Sequence, residues 1–200
     1  MDTTEAIKKR RAVKHYDPNH RMTEEEKNQL LELAMCSPTA FNIQNWRFLV
    51  VDDAEQRQAL YGVAWQQQQV LDASMVIVLC ADLKSWQRDP ARYWTKAPAE
   101  VQDFMLPAIQ EYYEGKEQTM RDEAMRSCGI AAQTLMLAAT AMGYESCPMD
   151  GFDFAEVAKI INLPEDHVVT MFVVIGKGTK EPWERPGQLA LEDVVVRDRF

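Results

Sequence analysis

Residues 75–82 read MVIVLCAD, seven positions without a charge closed by a single aspartate. A run of this length with no polar side cannot lie on a surface. As a strand it requires a sheet that is covered on both faces. HVVTMFVVIGK (167–177) makes the same demand, and WRFLVVDD (46–53) supplies a third strand. Helical segments must therefore provide two covering layers.

The sequence offers them. Thr3-Thr4 leads into a short helix from Thr4 to about Arg11. Thr23 with Glu26 forms a capping box ahead of Leu30, Leu31, Leu33 and Ala34, which share one helical face. Asp53 with Gln56 opens AEQRQALYGVA, and Asp153 with Glu156 caps another helix. The longest pattern runs from Met120 to Met142 and stops at Gly143, a common helix terminator. It is apolar nearly all round from Ile130 onward, which predicts a core helix. Residues 84–117 contain Pro90, Pro98 and Pro107 among many aromatic rings and read as irregular. Without strict βαβ alternation, the order of elements predicts an α+β fold: a sheet with helices packed around it.

No repeat or linker divides the chain, so one domain spanning 1–200 is expected. The tail after residue 177 is polar and extended and ends in a β-prone VVV. Its Leu189, Leu191 and Val194 to Val196 need cover, and a second copy of the chain is the expected source.

The net charge of −9 argues against general affinity for nucleic acid or anionic membrane, which requires a basic face. Cys36, Cys80, Cys128 and Cys147 lie far apart, and His15, His20 and His167 show no ligand spacing, so no metal is expected. Cys36, Cys80 and Cys128 sit in or beside apolar runs, as buried thiols do in a reducing compartment. MDTTEAIKKRR has charge where a signal peptide needs an apolar stretch, and IAAQTLMLAATAM is too short and polar to cross a bilayer. A cytoplasmic location is expected.

Three stretches carry chemical character. KKRRAVK (8–14) packs five cations into seven residues, fit either for a phosphate or for a solvated face balancing local acids. SPTAFNIQNW (37–46) sets Ser37, Thr39, Asn42, Gln44 and Asn45 beside Phe41 and Trp46. CPMDGF (147–152) is either a tight turn or a place where Gly151 lets backbone approach a flat ligand, with a carboxyl from Asp150 beside it. IGKGTKEPW fails as a phosphate loop, because Met171 replaces the first glycine and Pro182 blocks the following helix. No G-x-G-x-x-G occurs.

With IKKRRAVKHYD, SPTAFNIQNWRF, LDASMVIVLCAD, GYESCPMDGFD and RPGQLALEDVV in this order, the chain resembles the FMN-dependent nitroreductase family over almost its whole length. The resemblance implies a central mixed or antiparallel sheet flanked by helices, with the C-terminal tail packing on a partner subunit. It also implies a homodimer with FMN sites at the subunit interface. Arg10 would grip the phosphate, with Arg11 and Ala12 at the same end, and Lys14 would face the N1/O2 edge of the ring. Pro38, Thr39, Asn42 and Gln44 would reach the other subunit's flavin. Pro148, Met149, Asp150 and Gly151 would cover one ring face, the Gly151 amide pointing at N5. Gln69 stands where one branch has lysine, and Arg185 is the tail's phosphate partner. Asn45 replaces a usual proline and Ala12 a frequent serine.

The activity implied is transfer of two electrons from NAD(P)H through flavin N5 to nitroaromatic or quinone-type acceptors by a ping-pong mechanism. Lys14, Asp150 and Gly151 are the catalytic candidates, Asp150 for ordering water near N5. The aromatic stretch 84–117 is expected either to cover a small aromatic acceptor or to fill gaps between helices. The alternatives are a non-catalytic FMN sensor or storage protein, and a reductive dehalogenase on the same scaffold.

Overall fold

A computed structural model describes residues 1–200. Strands β1 (Trp46–Val50), β2 (Met75–Asp82), β3 (Glu145–Met149) and β4 (His167–Gly176) form one antiparallel sheet in the order β1-β2-β4-β3. Every residue of β2 is buried, as its lack of a polar face requires. The register slips once, between Leu79 and Cys80. There the Thr170 hydroxyl donates to the Leu79 carbonyl at 2.7 Å, satisfying an acceptor that the bulge would otherwise strand.

The eight helices are α1 (Thr3–Lys9), α2 (Glu24–Met35), α3 (Ala54–Val63), α4 (Gln69–Asp72), α5 (Ala99–Tyr113), α6 (Glu117–Ala141), α7 (Phe154–Ile160) and α8 (Leu191–Val194). Alternation along β2 sorts them into layers. Met75, Ile77, Leu79 and Ala81 face Leu30 and Ala34 of α2 and Ala131, Leu135 and Ala139 of α6. Val76, Val78 and Cys80 face the opposite core, with Leu60 of α3, Val157 of α7 and Phe172. A third, small core joins Ile43, Trp86, Ile109, Tyr113 and Met120. The α+β expectation is met, and the sheet is antiparallel.

Four local expectations are corrected. The stretch 84–117 is not irregular throughout: Pro98 stands just outside a fifteen-residue helix, α5, which tolerates Pro107 in its interior. Helix α6 starts at Glu117 rather than Met120 and ends at Ala141, with Gly143 at φ +81. CPM belongs to edge strand β3, where Pro148 is acceptable because the edge leaves its missing donor unneeded. The tail's apolar end is a single helical turn, α8, followed by exposed Val195 and Val196, with no strand partner. No helix is long and apolar enough to cross a membrane.

Leu135 is fully buried between α6 and the sheet. Leu135→Ala is expected to cost about 3 kcal/mol, the usual price of a core leucine truncation, as read from urea unfolding midpoints. A shift below about 1 kcal/mol would contradict the placement of α6.

Candidate functional site

Helix α1 ends when Arg10 turns extended, at φ −52 and ψ 131. Arg11 closes the end with its own side chain, donating through one nitrogen to the carbonyls of Lys8, Lys9 and Arg10 at 2.6, 3.3 and 2.9 Å. The chain then lies along the free edge of β3. The Val13 amide donates to Ser146 O at 3.0 Å, and Ala12 bridges Ser146 in parallel fashion. Extended backbone alternates, so Val13 enters the core while Ala12 and Lys14 are exposed.

Arg185 comes from the tail to the same place, donating to the carbonyls of Ile7 and Arg10 at 3.3 Å each. Burial, together with the positive charge of Arg185 and Arg11, lowers the Arg10 pKa from its ordinary value. Arg10, Arg11, Lys14 and Arg185 form no ion pair with any carboxylate. Glu145, Glu181 and Glu184 line the adjoining cleft of about 430 Å³ without pairing to them. A second cleft of about 460 Å³ runs past Lys14 to Trp183, which is 92% exposed. Crowded, partly desolvated guanidiniums with no counter-charge make a site for an anion.

The strand that Ala12 flanks, β3, ends at Met149. Met149 buries its side chain in the second core, so it is the backbone of this residue that remains for a ligand. Asp150 is exposed, and Pro148 and Gly151 are half-buried. The Gly151 carbonyl accepts Gln67 Nε2 at 2.9 Å, while its N–H has no acceptor in the chain. Gln69 does not reach outward. It is 4% exposed and donates to Gln67 Oε1 at 3.0 Å, so it acts behind Gln67. Trp65, 75% exposed, lies over Gly151: a Cβ there would meet its ring carbons at 2.7 and 2.9 Å. Glycine is needed for that close approach. Trp65 and Gln67 escaped the sequence reading, since in WQQQQ nothing distinguishes one glutamine from the next and a lone tryptophan reads as core.

The loop 38–44 lies elsewhere. It leads into β1, at the opposite edge of the sheet from β3, three strand spacings or roughly 14 Å away. Pro38 and Asn42 are exposed; Thr39 and Gln44 are half-buried. The Thr39 hydroxyl accepts the Gln44 amide at 3.0 Å, and Asn42 Nδ2 donates to Tyr93 O at 2.9 Å. One chain thus joins Arg10, Arg11 and Arg185 at the end of α1 and lays Ala12 and Lys14 along β3, whose far end carries Pro148, Asp150 and Gly151, while Pro38, Thr39, Asn42 and Gln44 stand before β1. The aromatic stretch divides: Trp86 and Tyr113 fill the small core, whereas Phe104 is exposed.

Asp82, Asp166 and His167 bring ligand-type atoms within 4.8 Å of one another. Arg47 and Arg88 already hold Asp82 at 3.0 and 2.9 Å, and Arg88 also pairs with Asp166. Two carboxylates are matched by two guanidiniums, which leaves no excess negative charge to attract a cation.

The family model for the nitroreductase family matches residues 7–177. The chain belongs to the nitroreductase family. Protein DrgA of Synechocystis is 50% identical over 196 residues, covering 96% of this chain and 93% of DrgA. YodC of Bacillus subtilis, provisionally named an NAD(P)H nitroreductase, is 34% identical over 96% of this nitroreductase and 97% of its own length. A solved protein of Exiguobacterium sibiricum in complex with FMN is similar at a TM-score of 0.90 and 32% identity, covering 98% of this chain and 97% of that one.

Gly151→Ala places a methyl against the Trp65 ring. The expected result is a stability loss of about 1 kcal/mol or less, because the exposed ring can move, with a changed near-ultraviolet circular dichroism signal. The Trp65→Phe protein identifies the contribution of that ring. An identical aromatic spectrum in the Gly151→Ala protein would show that Trp65 does not lie over Gly151.

Proposed function

We propose that this nitroreductase is an FMN-dependent oxidoreductase that carries two electrons from NAD(P)H to nitroaromatic or quinone-type acceptors by a ping-pong mechanism. In this reading residues 1–200 act as one domain in a homodimer with two sites at the interface. The observation that carries it is the uncompensated cluster of Arg10, Arg11 and Arg185 at the edge of β3, the strand whose following turn holds the unbonded Gly151 N–H. The cluster suits a phosphate, and the free N–H suits an acceptor atom of a flat ring. Family membership and the FMN complex of the Exiguobacterium relative support the same cofactor. The name given to YodC supports NAD(P)H as the electron source.

When bound, FMN supplies the redox chemistry, taking hydride at N5 and giving two electrons to an acceptor in a second half-reaction. The chain's own groups bind and tune it. Arg10 and Arg185 hold the phosphate by charge-assisted hydrogen bonds, and Arg11 fixes the end of α1 that presents Arg10. Ala12 gives the phosphate end an exposed backbone without a hydroxyl. Lys14 offers a fixed cation at the N1/O2 edge, where negative charge collects on reduction. Gly151 would offer its unbonded N–H to the ring, the backbone of Pro148 and Met149 would line the adjacent face, and Asp150 would order water near the reacting edge. Gln67, steadied by Gln69, fixes the Gly151 carbonyl and so the direction of its neighbouring amides.

Pro38, Thr39, Asn42 and Gln44 come from the second copy. They stand at the far edge of the sheet, and a two-fold axis brings one subunit's far edge to the other's near edge. Exposed Leu189, Leu191 and Val194 in the tail give that partner an apolar surface to cover. Four free cysteines suit a reducing cytoplasm; Cys80 and Cys128 are buried as their apolar runs suggest, whereas Cys36, against expectation, is exposed and Cys147 is the third buried thiol.

Arg10→Ala is expected to give soluble protein largely lacking FMN; stoichiometric flavin in that variant would move the phosphate elsewhere. In the unsubstituted protein, flavin absorption near ~450 nm should bleach with about one equivalent of NADPH under anaerobic conditions and return on adding a quinone. Flavin that stays oxidised with both nicotinamides would favour a sensor or store. Reduced flavin that is reoxidised by halogenated aromatics but not by nitro compounds or quinones would favour the dehalogenase.

A further inference from the structure

The loop that Phe41, Asn42 and Gln44 occupy is strained. All three hold left-handed backbone, with φ of 52, 55 and 45. Non-glycine residues resist this conformation, and three within four positions persist only where the surroundings impose it. Inside the loop, the Thr39 hydroxyl accepts the Gln44 amide, and Gln44 Nε2 reaches back to Asn42 O and Oδ1, each at 3.4 Å. Those contacts join the loop to itself. What ties it to the sheet is one backbone bond, from the Asp82 amide to Asn45 O, and one side chain.

Arg47 stands second in β1. One of its terminal nitrogens donates to the carbonyls of Gln44 and Trp46, both at 2.9 Å. The other donates to Asp82 Oδ2 at 3.0 Å and Ser85 Oγ at 3.3 Å. Asp82 is an immovable anchor: the last residue of β2, its side chain 1% exposed, its Oδ1 accepting the Lys84 amide and its Oδ2 also held by Arg88. The Asp82 amide in turn donates to Asn45 O at 2.8 Å. The guanidinium therefore spans the gap between a strained loop and the most rigid strand of the sheet.

We infer that Arg47 is a positioning residue: by bridging Gln44 O to buried Asp82 it fixes the Gln44 and Asn42 side chains in the orientation that meets the flavin of the partner subunit. The inference rests on the proposed role of that loop. Lysine cannot replace arginine here. It keeps the charge near Asp82 but brings a single nitrogen, without the rigid fork that serves Gln44 O and Asp82 together. The same bridge passes through Ser85 into the segment leading to α5, and Asn42 grips Tyr93 of that segment. Flavin contact and the wall of aromatic residues are thus set by one anchor.

The test is a double-mutant cycle on purified holoprotein, reading FMN dissociation constants and the visible circular dichroism of the bound flavin. R47K is expected to weaken FMN about tenfold, and Q44A by a similar factor, with altered flavin dichroism in both. In the Q44A background R47K should add less than about threefold, since the group being positioned is gone. D166N, which touches Arg88 and His167 but not the loop, should bind FMN unchanged. Should R47K fail to fold, R47Q, which leaves Asp82 held by Arg88 and the Lys84 amide, enters the same cycle. R47K with unaltered affinity and dichroism, or losses that multiply fully with Q44A, would overturn the inference. Wild-type FMN binding in both Q44A and N42A would instead remove the loop from the flavin site and sink the underlying reading.

Discussion

The burial of β2 on both faces governs the rest of the molecule. An eight-residue strand with no polar side gains stability only if apolar surface meets it from above and below. Helices α2 and α6 satisfy one face, and α3 with α7 the other. With both faces of β2 filled, space opens beside it instead: a cleft of about 350 Å³ is lined by Pro148, Met149 and Asp150 with Thr170 and Met171 of β4 and Met125 and Gly129 of α6. Chemistry is displaced to the sheet's edges and ends, where backbone groups are still unpaired. The residues that gather with functional character do lie there: 10–14 along the outer edge of β3, and 38–44 before the start of β1.

The two concentrations of charge are built on opposite principles. Around Asp82, two carboxylates meet two guanidiniums and His167, and almost every polar group has a partner inside the chain. Such a cluster holds elements in place and has little affinity left to offer. Around Arg10, three guanidiniums approach one another, their hydrogen bonds going to carbonyls at the end of α1 and none to a carboxylate. Helix carbonyls relieve part of the repulsion, because the C-terminus of a helix carries partial negative charge. The remainder is unbalanced within the chain. A net charge of −9 makes this local excess more pronounced, since most of the surface would repel the anion that this corner attracts.

The layers were legible because periodicity reports burial directly. MVIVLCAD and the Thr23–Glu26 capping box each state their structure in the residues themselves, and both are realised. The edge strand β3 was not legible. Its ESCPM is short, contains proline and has a turn signal after it, and only pairing with β4 makes it a strand. Helix α5 was obscured by its prolines, whose cost is offset by burial of Ile109 and Tyr113 in the small core. Among site residues, Arg10, Lys14 and Gly151 stood out through the resemblance, and the structure sets them along one strand, β3, and the turn after it. Trp65 and Gln67 did not, because their proximity to Gly151 comes from two consecutive left-handed residues, Trp65 and Gln66, that no local pattern announces. Gln69 illustrates the converse: it was expected to face the cofactor, but it is buried and its amide turns inward to Gln67.

The separation of the two edges bears on why the proposed enzyme would be obligately paired. A flat cofactor bound at the β3 edge has protein on one side only: the cations, the Gly151 amide and Trp65. The neutral donors that would meet its other edge are about three strand spacings away in the same chain. No side-chain movement crosses that distance without disrupting β1, whose neighbour is the fully buried β2. A second copy related by a two-fold axis supplies the missing half to each site at once, with no change in either fold. The tail strengthens the case. Some twenty residues after β4 carry Trp183, Leu189, Leu191 and Val194 to Val196 in the open, an apolar load that a lone chain has no core to receive. The same tail delivers Arg185 to the Arg10 cluster. Covering the tail and completing the site would then be one event, so that cofactor affinity and subunit association rise and fall together.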